Sequence, residues 1–247
     1  MKVIVTSSHE EMCRRAARFL SAQLTLKPDS VLGLATGSTP EKVYEALVEE
    51  YQQGLLDFSR CSTVNLDEYI GLGGDHPQSY RYYMNHILFD RVNVEKENTF
   101  VPDGLCKDPQ EEGEDYDLRI AQLGGVDLQL LGLGPNGHIG FNEPDDAFAA
   151  ETHVVQLTAS TRPANSRFFD SLEQVPTQAI TMGIGTILRA QRVLLIASGK
   201  AKAQAVRAML CGPVTPKLPA SALRFHQDAT VIVDQEAFSL VPDGVKQ

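Results

Sequence analysis

The sequence predicts an α/β fold, a doubly wound and mostly parallel sheet with helices on both faces. Short β-branched apolar runs alternate along the chain with longer stretches whose apolar residues recur at helical spacing. The chain has 247 residues, of which 43% are hydrophobic and 22% charged, values typical of a globular protein with a large core. No repeat, low-complexity tract or Pro/Gly/Ser linker divides it, so we expect one domain over residues 1–247.

The predicted strands are, in chain order, the runs rich in Val, Ile, Leu and Thr at residues 2–6, 31–35, 63–66, 126–131, 154–157, 193–197 and 230–233. Helical periodicity predicts helices at residues 9–26, 41–51, 79–91, 111–123 and 201–210. The first helix carries Met12, Ala16, Phe19, Leu20 and Leu24 at near-helical spacing. Because a helix lies between most strands, right-handed crossovers and a parallel sheet are expected.

The segment at residues 158–178 differs from the rest of the chain. It is polar, has prolines near both ends and lies between two strand-like runs. Such a composition is typical of a mobile lid or of a surface excursion. We expect a lid, which would contain Arg162 and Arg167.

The charge excludes several classes of partner. Lys and Arg number 22 against 32 Asp and Glu, a net charge of −10, which argues against a broad nucleic-acid or anionic-membrane surface.

The first apolar run, Val3 to Val5, is too short for a signal peptide or a membrane span, so a cytoplasmic location is expected. The four cysteines form no C-x-x-C pair, so neither a disulfide scaffold nor a structural zinc site is expected.

Ligands of open parallel sheets bind beyond the carboxyl ends of the strands, so the residues after each strand are the candidates for chemistry. The second predicted strand is followed by Gly37, Ser38 and Thr39, with Pro40 opening a helix. Two interpretations stay open: a phosphate cradle of free N–H groups and hydroxyls, or a capped turn in which Ser38 and Glu41 form a capping box. No G-K-[ST] follows, which excludes a Walker A loop.

The third predicted strand leads into two adjacent acids, Asp67 and Glu68, in the run NLDEY. Only one of two adjacent carboxylates can face a cleft, and that one would be a candidate general base. Acids at the start of loops are also common on protein surfaces. Both interpretations stay open for this pair.

The run GLGPNGHIGFNEP is the most informative part of the sequence. Its glycines match G-x-G-x-x-G, but Pro135 interrupts the turn and no helical pattern follows, which excludes a dinucleotide-binding loop. A histidine flanked by glycines and followed by a carboxylate five positions later indicates an oriented acid/base group. The polar side chains that this loop presents are Asn136, His138, Asn142 and Glu143.

Other chemistries fit the same residues poorly. One histidine and scattered carboxylates lack the two-histidine spacing of a zinc site, so no metal is expected. No G-x-S-x-G elbow marks a serine hydrolase. Arg162, Arg167 and Lys200 are cations that can balance the charge of an anionic ligand in a local pocket.

Seven motifs together resemble the glucosamine-6-phosphate deaminase family: LATGSTP, NLDEYIGL, HPQSY, GLGPNGHIGFNEP, TRPANSRFF, ITMGIGTIL and SGKAKA, which occur in this order between Gly33 and about Lys202. The resemblance implies the modified Rossmann-like fold shared with 6-phosphogluconolactonases and ribose-5-phosphate isomerases. It also implies conversion of glucosamine 6-phosphate and water to fructose 6-phosphate and ammonia in amino-sugar catabolism, without a redox cofactor or a catalytic metal. The implied partner is a small sugar phosphate, not nucleic acid or a membrane, and the implied state is a monomer or small homo-oligomer.

The resemblance also assigns roles to individual residues. The implied catalytic residues are Asp67 as the enolisation base, with Asn136, His138 and Glu143 as the ring-opening group. The implied phosphate-binding residues are Gly37, Ser38, Thr39, Arg167 and Lys200.

The chain departs from the family pattern at two places. Asn136 stands where some relatives have aspartate, so any relay through it must use hydrogen bonds. Allosterically activated relatives have basic residues where this chain has Thr152-His153-Val154-Val155, so no allosteric activation is expected. Two alternatives are a sugar-phosphate lactonase, which has no use for the Asp67 carboxylate, and a catalytically silent sugar-phosphate sensor, for which no helix-turn-helix motif is found.

Overall fold

The structure of the protein, a computed structural model, describes residues 1–157 and 175–244. The described residues form two sheets. The strands of the larger sheet are β1 (Lys2–Thr6), β2 (Val31–Leu34), β3 (Ser62–Asn65), β5 (Thr99–Phe100), β6 (Leu128–Gly132), β9 (Arg192–Ala197) and β10 (Ala229–Asp234). The strands of the smaller sheet are β4 (Asp67–Tyr69), β7 (His153–Gln156) and β8 (Gln178–Thr181).

All neighbours in the larger sheet are parallel, in the order β1-β10-β9-β6-β2-β3-β5. The smaller sheet is antiparallel, in the order β4-β8-β7. From β2 the chain continues to β3, which is the neighbour of β2 on one side. From β6 it returns to the larger sheet at β9, which is the neighbour of β6 on the other side. The strand order therefore reverses between the neighbours β2 and β6, and in such a sheet the ligand crevice lies beyond the carboxyl ends of these two strands.

Helices cover both faces of the larger sheet. They are α1 (His9–Leu26), α2 (Glu41–Gln52), α3 (Tyr80–Met84), α4 (Pro109–Gln122), α5 (Ile184–Leu188), α6 (Ala203–Cys211) and α7 (Gln235–Phe238). Residues of α1, α2 and α3 pack in one hydrophobic core, and residues of α4, α5, α6 and α7 pack in a second core on the opposite face. The predicted doubly wound fold is confirmed.

Several predicted elements differ in the structure. The predicted strand at 154–157 is β7, which lies in the antiparallel sheet rather than the parallel one. Strands β4, β5 and β8 have at most four residues each and were not predicted. The helix predicted at 79–91 is the short α3 followed by a π-helical turn at Asn85–Phe89.

The capping box predicted for Ser38 and Glu41 is wrong. The residue that precedes α2 is Pro40, which has an αR backbone and makes no side-chain capping hydrogen bond. Glu41 is therefore the first residue of the helix, whereas a capping box needs it at the third position. Ser38 lies in the preceding turn and is exposed.

The predicted lid at 158–178 lies outside the described residues except for its last four. Of these, Val175 is buried and Gln178 begins β8. Arg162 and Arg167 are among the residues that the structure does not describe. In the described ranges, no helix has the length and hydropathy that crossing a membrane requires.

Strand β2 shows how one glycine accommodates a polar side chain in the core. Gly33 pairs with Gln129 of β6, and both residues lie in the buried middle of the sheet. A Cβ atom on Gly33 would lie only 2.0 Å from Oε1 of Gln129. The amide of Gln129 therefore fills the space that a larger residue at position 33 would need.

We expect Gly33→Ala to lower the free energy of unfolding by ~2 kcal/mol, because the added methyl group overpacks the core against Gln129. In a Gln129→Ala background the same change should cost less than half as much, because the clash is gone. Urea unfolding of the four proteins measures this coupling. An equal cost of Gly33→Ala in both backgrounds would contradict this account of the contact.

Candidate active site

The acidic pair of NLDEY begins the smaller sheet at the point where β3 ends. Asp67 and Glu68 are the first two residues of β4, in which Asp67 pairs with Thr181 of β8. Consecutive residues of a strand point to opposite faces. The two carboxylates therefore face different neighbours, although Asp67 is only 6% exposed and Glu68 only 1%.

Glu68 faces the first turn of α3. Its Oε1 accepts hydrogen bonds from the backbone N–H groups of Tyr69 at 2.8 Å and Tyr80 at 2.9 Å, and its Oε2 accepts one from Arg81 at 2.9 Å. Burial raises the pKa of Glu68 to about 7, although these three N–H groups favour the ionised form. This carboxylate is occupied by the backbone and is not available as a general base.

Asp67 faces the loop that contains His138. A Cβ atom on Gly140 would lie 3.4 Å from Oδ2 of Asp67 and 2.9 Å from Oγ1 of Thr181, so glycine is needed for this close approach. Gly140 also has a positive φ of 58°. The Phe141 N–H donates to Oγ1 of Thr181 at 3.1 Å, and Thr181 is the residue that pairs with Asp67. The NLDEY and GHIGFNEP motifs, which are about 70 residues apart in sequence, are thus joined through Thr181.

Asp67 has the electrostatic character of a general base near neutrality. Burial, and secondarily the negative charge of Glu68, raise the pKa of Asp67 to about 8. Such a shift at a strand end beside a histidine loop is typical of functional carboxylates. The surface interpretation of the acidic pair is excluded, because both acids are buried. Glu68 binds backbone N–H groups at the start of α3, and Asp67 faces the histidine loop.

His138 is held in a defined orientation by Gly134 and Asn136. A Cβ atom on Gly134 would lie 2.3–2.4 Å from ring atoms of His138, so the ring lies directly against this glycine. Nδ1 of His138 is 2.7 Å from Oδ1 of Asn136. An amide oxygen can only accept, so Nδ1 carries a proton and, in the neutral ring, Nε2 is free to accept one.

Asn136 connects His138 to Glu143. Its Nδ2 donates to Oε2 of Glu143 at 2.6 Å, while Oε1 of Glu143 lies 3.4 Å from Nδ1 of His138. The side chains of His138 and Glu143 are 28% and 19% exposed, which leaves the group accessible from the crevice. The carboxylate is therefore placed to stabilise an imidazolium ion, both directly and through the amide.

The predicted phosphate loop lies beyond β2 and is open to solvent at Gly37 and Ser38. Gly37 has a positive φ of 104°, a conformation that favours glycine. Its carbonyl oxygen accepts a hydrogen bond of 2.8 Å from the hydroxyl of Tyr83. The turn therefore has a fixed carbonyl on one side and exposed backbone and hydroxyl groups on the other.

Lys200 follows β9, and its turn is held by an acid that sequence reasoning missed. Asp234, the last residue of β10, accepts hydrogen bonds from the Ser198 hydroxyl and from the Gly199 N–H at 3.1 Å. It also accepts the Ala237 N–H at 2.8 Å and so caps α7. The available sequence signal was an acid directly after an apolar strand, the same signal that pointed to Asp67.

The described residues thus bring together Asp67, the His138 group and the loop after β2 at the crevice where the strand order reverses, and place Lys200 after β9. Arg167, the remaining predicted phosphate ligand, lies outside the described residues. Within residues 1–157 and 175–244, no three His, Cys, Asp or Glu side chains converge as metal ligands.

Comparison with known proteins identifies the family. Residues 6–232 match the family model described as glucosamine-6-phosphate isomerases/6-phosphogluconolactonase. A glucosamine-6-phosphate deaminase of Thermoanaerobacter sp. (strain X514) is 53% identical over 98% of this chain and 96% of its own length. The protein of that name from Lachnoclostridium phytofermentans is 56% identical over 94% of this chain and 98% of its own length.

Solved structures show the same relationship. A protein described as a monomeric glucosamine-6-phosphate deaminase is 48% identical and superposes with a TM-score of 0.94, covering 97% of this chain and all of its own. A 6-phosphogluconolactonase from Trypanosoma cruzi, 21% identical with a TM-score of 0.80 and 96% coverage of both chains, shares the fold. The chain belongs to the family of glucosamine-6-phosphate isomerases and 6-phosphogluconolactonases.

Proposed function

We propose that this protein is an enzyme that converts glucosamine 6-phosphate and water to fructose 6-phosphate and ammonia. The observation that carries the proposal is the buried Asp67 carboxylate beside the His138 loop, because removal of a proton from carbon requires such a base and hydrolysis of a lactone does not. Relatives named glucosamine-6-phosphate deaminase that are 53% and 56% identical over nearly the whole chain support it.

The first step is opening of the sugar ring. Nε2 of His138 accepts the proton of the anomeric hydroxyl, and the imidazolium ion that forms returns a proton to the ring oxygen. Glu143 stabilises this ion across the 3.4 Å to Nδ1, and Asn136 keeps the ring in the tautomer that the step requires. The product is the open-chain aldehyde, whose C2 hydrogen is acidic.

The second step moves a proton from C2 to C1. The ionised Asp67 carboxylate takes the C2 proton to give an enolamine and delivers it to C1, which leaves an iminium ion at C2. Water adds to C2 and ammonia leaves, so that the ketone of fructose 6-phosphate forms. The aldehyde oxygen takes the proton that it needs for the enolamine from the substrate's own ammonium group, and the water that adds to C2 gives a proton to the departing nitrogen. The scheme uses neither a metal nor a redox cofactor.

The 6-phosphate is the part of the substrate that the protein holds. We assign it to the backbone and hydroxyl groups of Gly37, Ser38 and Thr39, with Arg167 and Lys200 as counter-charges. These contacts place C1 and C2 against Asp67, and positioning of this kind accounts for a large share of enzymatic rate acceleration. The free N–H groups of the loop suit a dianion in a protein whose net charge is −10.

We further propose that residues 1–247 act as a single domain with a lid at 158–178. The neighbour with a TM-score of 0.94 is described as monomeric, which favours a monomer over a small homo-oligomer. The reaction consumes a phosphorylated amino sugar, so we assign the protein to amino-sugar catabolism in the cytoplasm.

The Asp67→Asn variant tests both the proposed reaction and the assignment of Asp67 as its general base. We expect wild-type protein to release fructose 6-phosphate and ammonia from glucosamine 6-phosphate, with kcat/KM rising as pH increases toward about 8, where Asp67 ionises. The variant should lose at least ~10²-fold in kcat, because an amide cannot accept the C2 proton. A coupled assay for both products measures this, and wild-type hydrolysis of 6-phosphogluconolactone without ammonia release would favour the lactonase alternative.

The Asp67→Asn variant should also differ from wild type in its free energy of unfolding. The folded-state pKa of Asp67, about 8, lies above its ordinary value of 3.8, so the stability that this group provides is complete below about pH 4 and is lost as pH rises through about 8. At about pH 8 the Asp67→Asn variant should therefore unfold with a free energy higher than wild type by at least ~1 kcal/mol. Lower stability at that pH would mean that Asp67 has a structural role instead.

The ring-opening role of His138 is tested by His138→Gln. The glutamine can form a hydrogen bond but cannot transfer a proton, so kcat should fall by ~10²-fold or more. An open-chain analogue, 2-amino-2-deoxyglucitol 6-phosphate, should bind to the variant nearly as well as to wild type, as calorimetry would show. An equal loss of affinity for cyclic and open-chain ligands would assign His138 a structural role.

The role of Asp234 in holding Lys200 is tested by Asp234→Asn, with Asp127→Asn as a matched control. Asp127 is also buried and accepts a backbone hydrogen bond, from Val31 at 2.8 Å, but lies at the opposite end of the sheet. Both variants should be less stable, because each weakens a charge-assisted hydrogen bond. Only Asp234→Asn should raise KM, by ~5-fold or more, with a smaller change in kcat. Equal KM values in the two variants would remove Asp234 from the phosphate site.

A further inference from the structure

The short helix α3 connects the two ends of the candidate active site. It is formed by the HPQSY motif and the residues that follow, and one of its ends is bound to NLDEY. Glu68, directly adjacent to Asp67, accepts the backbone N–H groups of Tyr80 and Arg81 at 2.9 Å each. A carboxylate at a helix N-terminus is favoured by the helix dipole as well as by these bonds.

The side chains of α3 contact the phosphate loop. The hydroxyl of Tyr83 donates to the Gly37 carbonyl at 2.8 Å, and the Thr36 side chain hydrogen-bonds to the hydroxyl of Tyr80. Thr36 and Gly37 begin the loop that is assigned to the 6-phosphate. One helix turn therefore touches both the base segment and the phosphate segment.

The helix is also anchored from the side, so it does not move freely between these contacts. The guanidinium of Arg81 donates to Oγ1 and to the carbonyl oxygen of Thr99, at 2.8 Å each. The ring of Tyr80 is stacked on Phe141 of the histidine loop, with centroids 6.0 Å apart and an interplanar angle of 8°. The position of α3 is thereby fixed relative to β5 and the histidine loop, as well as to the base segment and the phosphate loop.

We propose that α3 fixes the distance between Asp67 and the phosphate loop, which makes Glu68, Tyr80 and Tyr83 positioning residues of the reaction. The proposal rests on the proposed function, since it takes the substrate to be bound at both ends. A sugar phosphate held at its 6-phosphate presents C2 to Asp67 only if that distance is correct, and a misplacement of about 1 Å can cost ~10²-fold in rate. Smaller ligands that occupy only one end of the site do not depend on the distance between Asp67 and the phosphate loop.

The test is Tyr83→Phe, which removes one hydroxyl and keeps the ring. We expect kcat/KM for glucosamine 6-phosphate to fall ~10-fold or more, while the inhibition constant of inorganic phosphate stays within ~3-fold of wild type. The reason is that inorganic phosphate needs only the phosphate loop, whereas the substrate needs the loop and Asp67 at the correct distance from each other. An unchanged kcat/KM would overturn the proposal, and so would an equal loss for both ligands, which would indicate a local defect of the loop.

Tyr82→Phe is the matched control. Tyr82 is the neighbouring residue of α3, its ring stacks on His86, and within the described residues its hydroxyl has no hydrogen-bond partner. This variant should keep wild-type values for both ligands. A loss equal to that of Tyr83→Phe would show that the effect does not come from the bond to Gly37.

A double-mutant cycle tests the connection through the helix. Glu68→Gln weakens the other end of α3, so Tyr83→Phe should cost less in that background than in wild type. Additive losses would mean that the two contacts act separately, which would overturn the proposal.

The test of the proposal for α3 can be separated from the test of the proposed function. If wild-type protein releases no ammonia, the function fails, and calorimetric affinities of glucosamine 6-phosphate and inorganic phosphate for Tyr83→Phe still decide the proposal. A selective loss of affinity for the sugar phosphate supports it, and parallel affinities overturn it.

Discussion

Asp67 and Glu68 are neighbours in a strand, so their side chains must leave the backbone on opposite sides, and both are almost completely buried. Burying two adjacent carboxylates is costly unless each finds a partner. Glu68 finds three backbone N–H groups, two of them at the start of α3. Asp67 pairs with Thr181 next to the histidine loop and keeps a raised pKa of about 8. The position of α3, the approach of the histidine loop and the basicity of the proposed base all depend on this division of roles.

A protein with a net charge of −10 needs local positive groups at any site that takes an anion. At the proposed phosphate site these groups would be the backbone N–H groups after Gly37 and the side chain of Lys200. Asp234 holds the turn of Lys200, and its carboxylate accepts hydrogen bonds from the N–H groups of Gly199 and Ala237. Burial alone would raise the pKa of Asp234, but these hydrogen bonds and that of Ser198 outweigh burial and lower it. For an anionic ligand, the local arrangement of such groups would matter more than the net charge of the protein.

The sequence predicted the long elements of the fold and the three loops that form the candidate site, because periodicity and strand-end position are local properties. It did not predict β4, which has three residues and exists only through its pairing with β8 more than a hundred residues later. The hydrogen bond from Tyr83 to Gly37 spans 46 residues and that from Gly199 to Asp234 spans 35. Neither bond can therefore be recognised from a local sequence pattern. The capping box failed for a related reason, since Pro40 and the turn after β2, not residue type alone, decide where α2 begins.

Asn136 links His138 and Glu143 without adding a charge to the group. Its Nδ2 lies 2.6 Å from a carboxylate oxygen of Glu143, and its Oδ1 lies 2.7 Å from Nδ1 of His138. An aspartate in this place would bring two carboxylates together, a contact that is favourable only if they share a proton. The amide instead donates on one side and accepts on the other, so each of its contacts is satisfied in one fixed arrangement. In that arrangement the proton of the neutral His138 ring resides on Nδ1, and Nε2 is the ring nitrogen that can accept a proton.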